Sequence, residues 1–183
     1  MSASAFHRLL KTSEAAGLGP GPRSGVDSIA ALNSAVDAAL KEVTVDQRRS
    51  DLVRALILLW HDHLEASHVI AQRYEDDADG RYVHAIVHRR EPDYSNAKYW
   101  FHRTRQHPAY TMLAERAGEL LGDDPTLRGL LMPRGKWDAV AFVDACEETA
   151  SLPDHDPRVR LLQAVQLAEF EYLLDYQIGR AHV

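Results

Sequence analysis

Cysteine is nearly missing from this sequence. Cys146 stands alone among 183 residues, which excludes an internal disulfide and a cysteine-built zinc knuckle and suits a reducing cytoplasm. Long apolar runs are missing as well. The longest, Ala55 to Trp60, falls far short of the roughly 20 residues that span a bilayer, and the N-terminus lacks the apolar core of a secretory signal, so no membrane is expected. Residues 1–25 carry Arg8, Lys11 and Arg23 against Glu14, with several serines, only a faint echo of a transit peptide. Positive charge is in deficit: 21 basic against 27 acidic side chains leave a net charge of −6, which repels phosphate backbones and argues against nucleic acid as a partner. No Gly-x-Ser-x-Gly elbow, Gly-x-Gly-x-x-Gly turn, phosphate loop or His-Glu-x-x-His run is found, so the common chemistries built on those motifs lose support. Finally, no stretch alternates polar and apolar residues with the period of a strand.

What is present is helical spacing. Val26, Ile29, Ala30, Leu32, Val36 and Leu40 make one apolar stripe, and Leu52, Leu56, Leu59 and Trp60 another. The stretches 44–47 (Thr-Val-Asp-Gln) and 62–65 (Asp-His-Leu-Glu) read as capping boxes. A helix begun near Gly80 ends at Pro92; Asp93 caps the next, running to about Gln106. Asp138 caps one ending at Thr149, and Pro157 opens a last one reaching about Ala181. The expected fold is all-α: a compact antiparallel bundle of helical hairpins. Four glycines and two prolines in residues 17–25 break any regular element, predicting a flexible N-terminal arm over 1–25 and one helical domain over 26–183.

A weak repeat lies within this pattern. Ala85, Ala97 and Phe101, spaced by twelve and four, with Pro108 near the end, place small residues mid-helix where two helices approach. Ala66 and Ile70 take the corresponding places in the preceding hairpin. This segment resembles tetratricopeptide repeats, and residues 93–103 resemble the second helix of Sel1-like repeats; the likeness covers about residues 50 to 110. The run from His84 to Phe101 also resembles the core motif of uncharacterised bacterial helical proteins. These resemblances imply a fold and no activity.

The histidines are unevenly placed, with seven of ten at 61, 63, 68, 84, 88, 102 and 107. His84 and His88, four apart, project from one helix face at neighbouring turns, a geometry that lets two imidazoles share an ion, and Glu91 continues that face. Glu65 and His68, three apart on the preceding helix, repeat the carboxylate–imidazole spacing of metal-binding bundles. The expected metal set is therefore His68, His84, His88, Glu65 and Glu91, holding one divalent ion, zinc or iron. Glu65 is the least secure, being also the capping-box acid. The alternative is a packed, hydrogen-bonded imidazole core. His61 and His63 are expected at the surface, and His102 in solvent beside Arg103 and Arg105.

A second set, Arg90, Tyr94, Asn96, Tyr99 and His107, has the donors and rings that ligand grooves use, against a plainer reading as core aromatics and a solvated helix end. Cys146, beside Glu147 and Glu148, is expected to be a poor nucleophile. Three readings of function follow. The first is a helical-hairpin binding domain whose His/Glu cluster holds a metal ion or a small anionic ligand. The second is a metal-dependent enzyme, a hydrolase or oxygenase, with an open coordination position. The third is a metal-free scaffold offering a peptide groove to a protein partner. The ends of a repeat-like stack would also accommodate a homodimer, although no residues specify its interface.

Overall fold

The computed structural model describes residues 3–122 and 124–179, and among these no strand occurs. Ten α-helices follow one another: α1 (Ala3–Leu9), α2 (Ile29–Leu40), α3 (Gln47–Trp60), α4 (Leu64–Ala71), α5 (Ala78–Arg90), α6 (Tyr94–Thr104), α7 (Ala109–Leu121), α8 (Pro125–Leu131), α9 (Ala139–Thr149) and α10 (Pro157–Gln177). Short 3₁₀ turns at Gln72–Tyr74 and Pro133–Gly135 link α4 to α5 and α8 to α9. The all-α reading of the sequence is correct.

Helix starts follow from side-chain oxygens that accept free backbone N–H groups. Asp93 accepts from the Asn96 amide, and Asp138 from those of Val140 and Ala141, as the sequence predicts. Asp77 accepts from Asp79 and Gly80, so α5 begins slightly before Gly80. Neither expected capping box forms. At α3 the cap is Asp46, not Thr44, and it accepts from Arg49. At α4 the N-cap is His63, with no side-chain cap, because Asp62 sits in the left-handed region at φ 64° and gives its carboxylate to two arginines. The last helix opens at Pro157 as expected but ends at Gln177; the predicted end near Ala181 lies outside the described residues.

Packing proceeds by helix pairs: α3 on α4, α4 on α5, α5 on α6, α6 on α9, and α10 across α3 and α7. The α5–α6 pair is the most extensive, and Ala85 and Ala97 are both fully buried within it, where a side chain larger than a methyl would hold the helices apart. Helix α5 is buried almost all round, from Tyr82 to Arg90. Its two arginines are therefore paired rather than solvated, since an unpaired buried charge is very costly. Arg89 donates to Glu169 of α10 at 2.5 Å, and Arg90 to Asp62 at 2.7 Å.

Parts of the segment before residue 25 pack on the helices, while about half of its described residues are exposed. Phe6, Leu10 and Ala16 are buried in the same apolar cluster as the later helices. Arg90 donates to the Gly19 carbonyl and Gln166 to those of Ala16 and Gly17. The backbone N–H and side chain of Arg23 both bond the Asp62 carboxylate. The glycines and prolines that exclude a helix here leave carbonyls free to accept from buried side chains.

Candidate metal centre

His68 lies near the end of α4, and His84 and His88 stand one turn apart on α5. Their Nε2 atoms converge: His84 Nε2 is 2.8 Å from that of His68 and 2.9 Å from that of His88. The ring centroids are 4.6–4.8 Å apart. His84 and His88 are buried, and Trp100 of α6 lies against the His84 ring at 4.6 Å, closing one side. On the other side His68 is partly exposed beside the exposed Gln72, whose amide is 3.2 Å from His68 Nε2.

Carboxylates face the opposite ring edges. Glu91, the C-cap of α5, places one oxygen 3.3 Å from His68 Nδ1 and the other 3.2 Å from His88 Nδ1. Glu75 lies 3.3 Å from His84 Nδ1, although not aligned for a hydrogen bond, and Asp93 lies 3.8 Å from His88 Nδ1. The position of Glu75 depends on Gly80. A Cβ there would fall 2.1 Å from the Tyr74 carbonyl, so only glycine lets the turn before Glu75 rest on the first turn of α5.

Burial drives the His84 pKa down to about 3, with His88 and His68 adding repulsion; burial and His68 lower that of His88 too, partly offset by Glu91 and Asp93. Both rings are thus neutral near pH 7, with one N–H each. Glu91 draws the protons of His68 and His88 to Nδ1, leaving Nε2 lone pairs that face His84 Nε2 at under 3 Å. Moving the protons to Nε2 would instead set bare Nδ1 lone pairs against a carboxylate. His84 Nε2–H can donate to one of these lone pairs and the Gln72 and Asn96 amides lie 3.2 Å from His68 and His88 Nε2, so the rings close a hydrogen-bonded network without an ion. A cation among the three Nε2 atoms is the other arrangement this geometry allows, and carboxylates behind the rings are the usual outer partners of metal-bound histidine. Tetrahedral bonds of ~2.05 Å hold nitrogens about 3.3 Å apart, so the rings need to open by roughly 0.5 Å to accept zinc.

Of the expected metal set, the structure brings together His68, His84 and His88. Glu91 stands behind the rings, at the Nδ1 edges rather than among the converging nitrogens. Glu65 is exposed in the first turn of α4, with no hydrogen bond or ion pair among the described residues. The expected groove residues do not form one site. Arg90 is buried against Asp62, His107 is buried against Asp79 at 3.0 Å, Tyr94 packs on the core, and Tyr99 is exposed beside Arg103. Asn96 alone joins the histidines, its amide 3.2 Å from His88 Nε2. His61, expected at the surface, is buried, with Nε2 2.8 Å from the Leu9 carbonyl and Nδ1 accepting from the Asp27 amide. His63 Nε2 is 2.8 Å from the Asp27 carbonyl, and His102 is exposed as expected. The Cys146 thiol is pushed up to about 12, mainly by burial. Sequence reasoning missed Glu75 and Gln72; the four-residue spacing from His68 to Gln72 was the available signal for the latter. No protein-family model, curated protein or solved structure matches this chain.

Proposed function

We propose that this protein binds one divalent metal ion, zinc or iron(II), between α4 and α5 through Nε2 of His68, His84 and His88. The observation that carries the reading is the convergence of three Nε2 atoms backed by Glu91 on two of the rings. The carboxylates Glu75, Glu91 and Asp93 around the cluster favour a cation over the small anionic ligand that the sequence also allowed. Three protein ligands leave a coordination position for water or a ligand, beside exposed Gln72 and half-buried Asn96. That open side favours the metal-dependent enzyme as the second reading, in which bound water or oxygen is activated. The paired packing of α5 and α6 around Ala85 and Ala97 supports the tetratricopeptide-like hairpin as the frame, and the buried thiol suits a cytoplasmic setting.

Titration of chelator-stripped protein with zinc, iron(II) and nickel tests the reading. One ion per chain is expected. With the ion at 100 times its dissociation constant, stabilisation of about 2.7 kcal/mol follows by mass action, which in a chain of this size raises Tm by roughly 5–10 °C. His84→Ala abolishes both uptake and the rise. Equal Tm with and without metal, in protein that takes up none, refutes it.

A further inference from the structure

Beyond the histidines, a cleft of about 1540 Å³ opens between the C-terminal end of α6, the length of α7 and the segment 132–138. We infer that this cleft is a second, independent binding site for amphipathic organic anions, with an apolar chain or ring on its floor and a carboxylate, sulfonate or phosphate at its rim. Its lining is mixed: Tyr110, Ala114 and Gly118, four residues apart along one face of α7, and the largely buried Met132 and Trp137 supply apolar surface beside the polar groups. Gly118 belongs to the lining, and a Cβ there would make only ordinary contacts at 3.7 Å with Arg128 and Met132, so a side chain larger than methyl is needed to fill the cleft.

The rim selects charge. Arg105, Arg134 and Lys136 are exposed around the cleft, and none of their side chains has a hydrogen bond or ion pair within the described residues. His102 is exposed beside them, and Arg128 reaches only the Gly122 carbonyl, at 3.5 Å. Of the three acids in the lining, Glu119 is paired with Arg116 and Asp138 caps α9, leaving Glu115 against several free cations. An unneutralised cluster of guanidinium and ammonium groups on a chain of net charge −6 is matched by an anion, and guanidinium geometry suits carboxylate, sulfonate and phosphate oxygens. Arg105 and Arg134 are also held at φ 59° and 57°, uncommon for residues other than glycine, and both lie at this rim. The volume exceeds the about 300–1,000 Å³ of a typical small-ligand pocket, which leaves room for an apolar body of substantial length.

The probe is 1-anilinonaphthalene-8-sulfonate, an apolar ring system with one sulfonate, added to the full chain. Saturable binding at one per chain is expected, displaced by octanoate but not by octanol or acetate at the same concentration. Arg134→Glu combined with Lys136→Glu, both exposed, weakens binding at least tenfold, and Gly118→Leu abolishes it. In both variants circular dichroism and metal uptake at the histidines stay unchanged and Tm does not fall, so failure here is distinct from failure of the metal centre. Absence of binding, binding indifferent to the charge-reversed variant, equal displacement by octanol, or displacement by hexaglutamate as readily as by octanoate overturns the inference.

Discussion

Glu91 contacts two imidazoles at once, one with each carboxylate oxygen. Its place on the face of His84 and His88 marks it as a ligand by spacing, yet it follows the last turn of α5, and its oxygens reach ring Nδ1 atoms instead of the converging Nε2 atoms. In the proposed metal site it would fix the tautomer and orientation of two ligands at once, and outer partners of this kind are worth about 10–100-fold in metal affinity. Glu91→Gln, which keeps the shape and removes the charge, therefore weakens metal binding by about that factor while far-UV circular dichroism stays unchanged. Glu65→Gln serves as the contrasting substitution, because Glu65 is exposed and outside the cluster. Calorimetric titration distinguishes the two residues: equal losses in both variants, or none in Glu91→Gln, contradict these assignments.

At the scale of elements, the starts of α6 and α9 at Asp93 and Asp138 were legible, and so was the pairing of His84 with His88, because helical periodicity alone puts residues four apart on one face. His68 was legible only as half of the Glu65 pair, and its true partners depend on how α4 crosses α5, which no local pattern records. The failed capping boxes have the same origin: Asp62 is drawn from the start of α4 by Arg90 and Arg23, both distant in sequence. Burial of Phe6 and Leu10 in the N-terminal segment was not legible for a related reason. Its glycines and prolines forbid a helix but do not forbid burial, and Phe6 and Leu10 are core residues. Burying a phenylalanine and a leucine contributes roughly 3–6 kcal/mol together, and removal of the segment also leaves Arg90 without its Gly19 carbonyl. Deletion of residues 1–20 is therefore expected to lower Tm by more than about 10 °C, read by thermal unfolding monitored at 222 nm. A truncated chain that melts with the full-length protein would show that these contacts contribute nothing.

For the molecule as a whole, α5 is the hub: it carries two of the histidines, its arginines tie α10 and the N-terminal segment to the core, and its burial sets the pH dependence. Because burial holds the pKa of His84 and His88 below the ordinary value, the unfolded chain takes up protons below pH 6.5 that the folded chain refuses. Stability of the metal-free protein is thus fully present above about pH 6.5 and declines as pH falls towards the folded values, by up to ~1.4 kcal/mol per pH unit for each proton in excess. Urea unfolding between pH 7 and 4.5, above most carboxylate titration, shows this decline in the wild type and a shallower one in His84→Gln; parallel profiles would contradict it. Whether the three imidazoles close on an ion is read by X-ray absorption at the metal edge of zinc-loaded protein. Three imidazole nitrogens at about 2.0–2.1 Å with the outer-shell scattering of histidine rings are expected, reduced in His88→Ala. An all-oxygen shell indistinguishable from hydrated zinc, or a spectrum unchanged by that substitution, would contradict it.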